Sequence, residues 1–330
     1  MPNMQRILVI RFSSIGDIVL CSPVVRVLRS KFPLADIRFV TKPQYAELVE
    51  SNPHLNRVHY LTSGLMALAS ELRAFKPDLV VDLHHNLRTR ILRTLIGGKW
   101  LAFRKLNVEK WLKVNLKVDR LPDVHVVDRY LDTLKPLGIT GDGKGLDFFF
   151  PSDFVAPQLP EGCANGYVAV VIAAKFRTKQ LPEYKLVELC NGLKRPIVLI
   201  GGPEDMALAE AIQTQTTTPI YNVCGTLSLA GSAWLIKQGE AVITHDTGMM
   251  HIAAAFNKRI ISIWGNTIPA FGMYPYLPDG GNSFISEVNG LNCRPCSKIG
   301  HSACPKGHFR CMNDQNIGTI IRTIHQNQSA

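Results

Sequence analysis

RILVIRFSSIGDIVLCSP, residues 6–23, is typical of a first β-strand, a tight turn and the start of a first helix. The apolar run RILVIR predicts a strand that is buried in a parallel sheet. The turn after it holds Ser13, Ser14 and one glycine, Gly16, whereas phosphate-binding turns of such sheets usually carry several glycines. Asp17 follows, at the start of a helix expected to run to residue 32. Its carboxylate is placed either to cap that helix or to act as a general base at the edge of the sheet.

Short runs rich in Val and Ile recur along the chain, and each is followed by a longer segment with helical periodicity. They lie at residues 6–11, 36–41, 58–61, 78–84 and 100–104 in the first half, and at 167–174, 196–202, 219–225, 240–246 and 259–265 in the second. This alternation predicts an α/β fold with parallel sheets. Residues 138–166, dense in Gly, Pro and Asp, are typical of a linker. We therefore expect two doubly wound domains, residues 1–155 and 156–330, with ligands at the strand ends facing a central cleft.

The length of 330 residues also favours two domains over one. No stretch approaches the roughly 18 uninterrupted apolar residues of a membrane span, and the opening MPNMQR lacks the features of a signal peptide. The sequence thus predicts a cytoplasmic protein. Neither G-x-G-x-x-G nor G-x-x-x-x-G-K-[ST] occurs, which argues against an ordinary dinucleotide dehydrogenase or a P-loop enzyme.

The formal net charge of +11 is concentrated in the first half. Residues 1–150 contain 23 Lys and Arg against 14 Asp and Glu, and residues 151–330 contain 14 against 12. Within residues 88–117 a single acid, Glu109, stands among nine basic side chains: Arg88, Arg90, Arg93, Lys99, Arg104, Lys105, Lys110, Lys113 and Lys117. Such a stretch suits a nucleic acid, an acidic lipid surface or a phosphorylated glycolipid. A solvated basic face with no partner is the alternative.

The eight cysteines fall into two sets. Cys21, Cys163, Cys190 and Cys224 lie in apolar segments and are expected to be buried thiols. The others form a C-x2-C-x7-C-x6-C cluster of Cys293, Cys296, Cys304 and Cys311, with His301 and His308 among them. Paired thiolates two residues apart can chelate a tetrahedral ion, so a structural zinc is one interpretation. The last spacing is longer than usual, and a loop of reduced thiols is the alternative.

Two turns in the second half could bind an anion. Lys175, Arg177 and Lys179 cluster just before a predicted helix, whose N-terminus favours negative charge. After the strand at 240–246, the sequence HDTGMMH places the Thr247 hydroxyl and the free amides of Gly248, Met249 and Met250 at the start of another helix. These groups suit a pyrophosphate. The alternative for the first turn is a solvated loop, and the alternative for the second is a helix that is merely capped.

A further turn, GGPED at residues 201–205, follows the strand at 196–202. Glu204 or Asp205 could accept hydrogen bonds from ribose hydroxyls, as acids do at the equivalent turn of many nucleotide-binding folds. Either could equally cap a helix.

Taken together, the motifs RFSSIGDIVLCSPVVRVLR, KQLPEYKLVEL, GGPED, HDTGMMHIAAAF, CRPC and CPKGHFRCM resemble glycosyltransferase family 9, the heptosyltransferases of bacterial lipopolysaccharide core assembly. The resemblance covers nearly the whole chain in order. It implies a GT-B fold of two Rossmann-like domains, with the acceptor on the N-terminal side and the sugar nucleotide on the C-terminal side. It also implies inversion at the anomeric carbon and no catalytic metal.

The resemblance assigns roles to individual residues. Asp17 matches the catalytic base, and the donor-binding residues are Lys179, Glu204, Asp246, Thr247, Gly248 and His251. On the acceptor side we expect Ser14, Gly16, Arg88 and Arg90. The family usually has a tryptophan two residues after the lysine, where this chain has Leu181.

The sequence therefore predicts an inverting glycosyltransferase that moves a heptose or a related sugar from an ADP-sugar to a lipopolysaccharide-core or lipid A-type acceptor. It predicts peripheral contact with the cytoplasmic face of the inner membrane, no nucleic-acid partner and no cofactor for catalysis. The alternatives are a GT-B enzyme that uses another nucleotide sugar, such as an epimerase, and a protein that binds nucleic acid or an anionic surface through the zinc cluster and the basic stretch.

Overall fold

The chain forms two compact units. The computed structural model describes residues 4–62, 64–159, 161–278 and 280–326. The first unit contains the chain up to Lys105 together with Val124–Phe154, and the second contains Leu106–Asp123 together with the chain from Val155 onward. A single boundary after residue 155 was expected, so residues 106–123 depart from that division.

This departure is explained by contacts between residues 106–123 and distant parts of the chain. Lys117 donates hydrogen bonds from Nζ to the carbonyl oxygens of Cys293 (3.2 Å) and Pro295 (2.8 Å). The Lys110 ammonium lies 5.5 Å from the centroid of the Phe271 ring. These contacts tie residues 106–123 to the second unit, and their partners are too far along the chain to be inferred from local sequence.

The first unit is built on a parallel sheet with the strand order β3-β2-β1-β4-β5. In the described residues these strands are β1 (Arg6–Ile10), β2 (Asp36–Thr41), β3 (Arg57–Tyr60), β4 (Leu79–Asp82) and β5 (Lys99–Ala102). The strand order reverses between β1 and β4, which pair side by side with Ile10 opposite Asp82. This is the switch point at which ligands bind in doubly wound sheets.

The second unit carries a parallel sheet with the order β11-β10-β9-β6-β7-β8. Its described strands are β6 (Val168–Val171), β7 (Ile197–Ile200), β8 (Ile220–Asn222), β9 (Ala241–His245), β10 (Arg259–Trp264) and β11 (Ser283–Glu287). Here the order reverses between β6 and β9. The prediction of an α/β protein with two parallel-sheet domains is confirmed, and β11 is an edge strand that the sequence analysis missed.

The helices flank these sheets. In chain order, those of the described residues are α1 (Ile15–Val19), α2 (Ser22–Lys31), α3 (Leu65–Phe75), α4 (Leu87–Ile96), α5 (Asn107–Trp111), α6 (Val126–Asp132), α7 (Glu183–Leu193), α8 (Met206–Gln215), α9 (Leu229–Gln238), α10 (Gly248–Ala255), α11 (Arg310–Asn313) and α12 (Ile317–His325). Among the helices described, none has both the length and the apolar composition needed to cross a bilayer.

The single helix expected after Asp17 is in fact two, α1 and α2. Pro23 lies in the first turn of α2, where its missing N–H costs no hydrogen bond. Within one continuous helix its ring would clash with the carbonyl of Val19, four residues earlier. That carbonyl instead accepts a hydrogen bond of 2.7 Å from the Ser22 hydroxyl.

The inner strands of both sheets are buried on their two faces, as the apolar runs predicted, whereas the edge strands β3, β5, β8 and β11 are partly exposed. Every residue of β4, β6 and β7 is buried. On one side of the second sheet, α12 packs against α7 through Ile317, Ile320 and Ile324, and each such side chain contributes roughly 1.5–3 kcal/mol when it is fully buried. A Cβ added to Gly192 of α7 would lie 2.1 Å from Cδ1 of Ile321, so this close helix contact requires glycine.

Candidate active site

Asp17 lies in the first turn of α1, which is joined to β1 by residues 11–14. Its Oδ2 accepts hydrogen bonds from the Ser14 amide (3.2 Å) and the Ser14 hydroxyl (2.9 Å). Its Oδ1 pairs with Nη2 of Arg11 at 2.6 Å. The carboxylate therefore caps α1, and with 23% of the side chain exposed it remains accessible.

The pKa of the Asp17 carboxyl is lowered from its ordinary value. Burial favours the neutral acid and works against this shift, but the positive charge of Arg11 and the hydrogen bonds from Ser14 outweigh it. Asp17 is thus ionised at neutral pH.

Arg11 is a residue of this site that the sequence analysis missed. Its buried guanidinium donates from Nε to the carbonyl of Ser13 (2.7 Å) and from Nη1 to the carbonyl of Leu83 (2.5 Å), besides pairing with Asp17. The available signal was a cation directly after an otherwise apolar strand. Arg11 holds the carboxylate at the switch point between β1 and β4.

The other residues predicted for the acceptor side lie on two different helices, α1 and α4. Gly16 is buried inside α1 rather than in the turn. Arg88 and Arg90 are exposed on α4, which begins after β4. At the end of β4, the His84 ring packs edge-on against Phe12 with centroids 4.9 Å apart. Burial and the nearby Arg11 charge lower the pKa of His84 to about 3, so its ring is neutral.

In the second unit, Lys179 and Asp246 come together at the switch point between β6 and β9. Lys179 ends a short 3-10 helix, Arg177–Lys179, after β6, and Asp246 directly follows β9. Their charged groups pair at 2.5 Å, with 15% and 10% of the side chains exposed. The Thr267 hydroxyl donates to the same Asp246 Oδ2 at 2.8 Å. Thr267 follows β10 and was not predicted.

The N-terminus of α10 has no capping side-chain bond among the residues described. Thr247 is the N-cap residue, and its hydroxyl lies 3.4 Å from that of Thr244 instead. Asp246 binds Lys179 and Thr267, so it does not cap the helix. The first-turn amides, starting with Gly248, thus add the partial positive charge of the helix end beside Lys179.

Two histidines support this region. His245, the last residue of β9, accepts a hydrogen bond at Nε2 from the Leu181 amide (3.0 Å). Burial lowers its pKa to about 4, so the ring is neutral and its other nitrogen carries the proton. His251, predicted to contact the donor, is buried within α10 with 2% of its surface exposed.

At the GGPED turn the two acids have different surroundings. Asp205 is buried and accepts a hydrogen bond from the Gly202 amide (2.9 Å), and burial raises the pKa of its carboxyl. Glu204 is exposed. Asp205 therefore stabilises the turn, and Glu204 is the acid presented at its surface.

The Cys-rich loop, residues 293–311, brings its four thiols near one another. Burial and the neighbouring Cys293 raise the pKa of Cys296 to about 11, and burial raises that of Cys311 to about 12. Cys293 Sγ lies 3.8 Å from Nε2 of His308. Within the described residues, however, no group of three or more His, Cys, Asp or Glu side chains is arranged to hold a metal ion. The geometry does not fit a zinc site, which stays a prediction of the spacing alone. The other four cysteines are buried, as predicted.

The basic stretch at residues 88–117 is divided between the two units at Lys105. Arg88, Arg90 and Arg93 of α4 are exposed in the first unit. In the second, Lys113 pairs with Asp119 at 2.5 Å, and Lys117 donates to backbone carbonyls. The stretch therefore does not act as one run of uncompensated charge.

Two doubly wound parallel-sheet units, each with polar residues gathered at its switch point, are the architecture of the GT-B fold. Solved structures share this fold. A family 9 glycosyltransferase from Veillonella parvula superposes with a TM-score of 0.75 at 21% identity, covering 98% of this chain and 96% of that one. The Escherichia coli heptosyltransferase WaaC with ADP gives a TM-score of 0.66 at 20% identity, covering 98% and 100%.

The chain belongs to glycosyltransferase family 9 (heptosyltransferase), whose family model matches residues 65–304. It is 32% identical over 306 residues to lipooligosaccharide heptosyltransferase 2 of Haemophilus influenzae, covering 81% of this chain and 85% of that protein. It is 24% identical over 279 residues to lipopolysaccharide heptosyltransferase 3 of E. coli K12, covering 78% and 81%. The protein is a glycosyltransferase.

Proposed function

We propose that this enzyme transfers a heptose or a closely related sugar from an ADP-sugar to a lipopolysaccharide-core or lipid A-type acceptor, with inversion at the anomeric carbon. The observation that carries the proposal is the Lys179–Asp246 pair beside the open N-terminus of α10. A buried cation next to unsatisfied amides suits a diphosphate. The relatives named for lipopolysaccharide and lipooligosaccharide heptose transfer, and the similar structure with ADP, support the choice of sugar and nucleotide.

In the proposed reaction, an acceptor hydroxyl attacks the anomeric carbon while the bond from that carbon to the diphosphate oxygen breaks. The leaving diphosphate takes the electron pair, and Lys179 with the amides of α10 stabilises its charge. The proposal assigns this stabilisation to protein groups and not to a metal. Asp17 accepts the hydroxyl proton as general base.

The hydrogen bonds of Asp17 leave room for this role. A carboxylate has about four acceptor sites, and Ser14 occupies two while Arg11 occupies one. The remaining site is on Oδ1. The lowered pKa keeps Asp17 ionised, at some cost in basicity.

Donor binding is tested by measuring the affinity for ADP and for UDP with the wild type, Lys179→Gln and Lys185→Gln. Lys185 is the matched control because its side chain is buried to a similar degree, 16% exposed, and also pairs with a carboxylate, that of Glu188. We expect ADP to bind the wild type, and Lys179→Gln to weaken that binding at least about tenfold, the loss of one charge-assisted hydrogen bond. Binding of UDP in preference to ADP would contradict the assignment of the donor.

Transfer is tested with ADP-heptose and a phosphorylated lipid A-core acceptor, by following ADP release. We expect release only when the acceptor is present. Conversion of the donor without any acceptor would instead indicate an epimerase. An enzyme that binds ADP but releases none with this acceptor would contradict the acceptor class.

We also propose that the acceptor is met at the cytoplasmic membrane face through α4. Its exposed surface combines Arg88, Arg90 and Arg93 with Leu87 (73% exposed) and Ile91 (40% exposed). Cations beside apolar side chains suit an anionic lipid surface. Co-sedimentation should rise with the anionic lipid content of vesicles, and Arg88→Gln/Arg90→Gln should reduce it. Equal sedimentation with neutral vesicles would contradict this contact.

A further inference from the structure

The Cys-rich loop contacts both of the turns that hold the proposed diphosphate-binding pair. One turn ends in Lys179, and the other runs from Gly265 to Thr267 after β10. The loop is distant from both in sequence and belongs to the same unit.

Three consecutive carbonyl oxygens of the turn after β10 accept hydrogen bonds from the loop. Arg294 donates from Nε to Gly265 (2.6 Å) and from Nη2 to Thr267 (2.9 Å). The amide of Cys296 donates to the carbonyl of Asn266 at 3.1 Å. The backbone that carries the Thr267 hydroxyl is therefore fixed at each of its residues.

The Arg294 guanidinium is itself held in place. Its side chain is only 6% exposed, pairs with Glu287 at 2.8 Å and donates from Nη1 to the carbonyl of Val288 at 2.7 Å. A planar guanidinium can make these four bonds at once because its N–H groups point in fixed directions. A lysine at this position has a single ammonium and cannot reproduce the pattern.

The loop also holds the turn of Lys179. The His301 carbonyl accepts hydrogen bonds from the amide (3.2 Å) and the hydroxyl (3.0 Å) of Thr178, and the His301 amide donates back to that hydroxyl at 2.8 Å. Thr178 is buried and directly precedes Lys179. The loop thus sets the positions from which Lys179 and Thr267 both reach Asp246 Oδ2.

We infer that Arg294 is a positioning residue for donor binding, which acts through Thr267 on the Asp246–Lys179 pair. This inference rests on the proposed function of that pair. Arg294 touches neither Lys179 nor Asp246 through any bond found in the described residues; it fixes the backbone of Thr267, whose hydroxyl occupies one acceptor site of Asp246. Without that bond, the Asp246 carboxylate keeps only its ion pair with Lys179 in the part of the chain that the structure describes, and both side chains are held less firmly.

The test measures ADP affinity and the KM values for donor and acceptor in Arg294→Gln, Thr267→Val and the double variant. Each single variant should raise the ADP dissociation constant and the donor KM about tenfold, the effect of one lost hydrogen bond to a charged group. The KM for the acceptor should not change. The double variant should be no weaker than either single variant, because both changes act on one bond.

Three further variants separate positioning from general destabilisation. Arg294→Lys should not restore the affinity. Glu287→Gln removes only the ion pair and should have a smaller effect. Arg310→Gln is the matched control, because this arginine of the same loop is 60% exposed and pairs with Asp314. All affinities are measured well below the melting temperature of each variant.

The possible failures are distinguishable. If the wild type binds no ADP, the proposed function fails first. If the wild type binds ADP and Lys179→Gln loses it, but Arg294→Gln stays within about twofold of the wild type, below one hydrogen bond's worth, the inference about Arg294 is wrong. Additive losses in the double variant, or rescue by lysine, would also overturn it. Should Arg294→Gln fail to fold, an unchanged affinity in Thr267→Val, which keeps the shape of the side chain, would refute it.

Discussion

Replacing Asp17 with asparagine removes one negative charge beside a buried cation and leaves the shape of the side chain unchanged. The amide oxygen can still accept the bonds from Ser14, but the NH2 group faces a guanidinium that also needs an acceptor. Arg11 keeps its bonds to two carbonyl oxygens. We therefore expect the free energy of unfolding to fall by about 3 kcal/mol, the low end of the range for breaking a buried ion pair. With an unfolding entropy of roughly 2.1 cal/mol/K per residue, cooperative unfolding of all 330 residues would have its melting temperature lowered by about 4 °C.

The expected effect on turnover is much larger than the effect on donor binding. Loss of a general base typically slows the chemical step by about a hundredfold to ten-thousandfold. ADP should bind Asp17→Asn as it binds the wild type, because the proposed diphosphate-binding residues are in the other compact unit. The assay is single-turnover transfer at saturating donor at about 20 °C, well below the lowered melting temperature, with ADP binding measured on the same sample.

Asp78→Asn is the matched control. Asp78 also accepts backbone amides, those of Gln5 (3.0 Å) and Arg6 (2.9 Å), but it precedes β4 and so lies at the opposite edge of the same sheet. The Asp78→Asn variant should have a free energy of unfolding about 1 kcal/mol lower than the wild type, and its turnover should be unchanged. If Asp17→Asn retained turnover within about tenfold of the wild type, below the usual contribution of a general base, or lost donor binding in proportion, Asp17 would be only a helix cap.

The lowered pKa of Asp17 gives this prediction a pH dependence. The folded pKa is below the unfolded one, so the stabilisation is fully present above the unfolded value of about 4 and is lost as the pH falls through the folded value. The stability difference between the wild type and Asp17→Asn should be constant above about pH 5 and shrink below pH 4. A difference that shrinks near neutral pH would contradict the assigned surroundings of the carboxylate.

Three further predictions concern stability. His245 has a folded pKa of about 4, below an unfolded value of about 6.5, so its contribution to stability should fall as the pH drops between these values; a ring that titrates near pH 6.5 in the NMR spectrum of the folded protein would contradict this. Gly225→Ala should cost about 1–2 kcal/mol in urea denaturation, and more than Gly143→Ala, because both have φ of +72° but only at 225 would the new Cβ meet neighbouring atoms, the nearest at 2.7 Å. Arg26→Gln removes bonds to two aspartates and a carbonyl of residues 138–154, so limited proteolysis should cut that segment faster, and an unchanged rate would show that other contacts hold it.

The inner strands were predictable because they are buried on both faces and carry compact apolar runs, as β4, β6, β7 and β9 do. The run at residues 36–41 coincides with β2, whereas the run at 167–174 extends past the end of β6. The apolar run continues past the strand because Ile172 is buried and the two alanines after it are half-buried. β11 has a polar, partly exposed edge sequence without such a run, which is why it escaped notice.

The candidate site was predictable where charged residues lie in the turns between a strand and the next helix or at that helix's first turn, as Asp17, Lys179 and Asp246 do. Arg11, Thr267 and Arg294 were missed because their importance lies in partners far along the chain or in backbone atoms. Arg294 and Gly265, for example, are separated by 29 residues. Local sequence predicts where the strands end, but it does not indicate which distant backbone carbonyl a side chain will bind.

Residues 106–123 belong to the second unit, so they can reach their native contacts only after much of the later chain has been synthesised. The bond from Lys117 to Cys293 spans 176 residues, so at about 5–20 residues per second the ribosome needs roughly 10–35 s after Lys117 before its partner exists. During that interval Trp111, which is 55% exposed even in the folded chain, and its apolar neighbours have no native place to pack. A nascent chain stalled in this window should therefore bind chaperones more strongly than one released after residue 311.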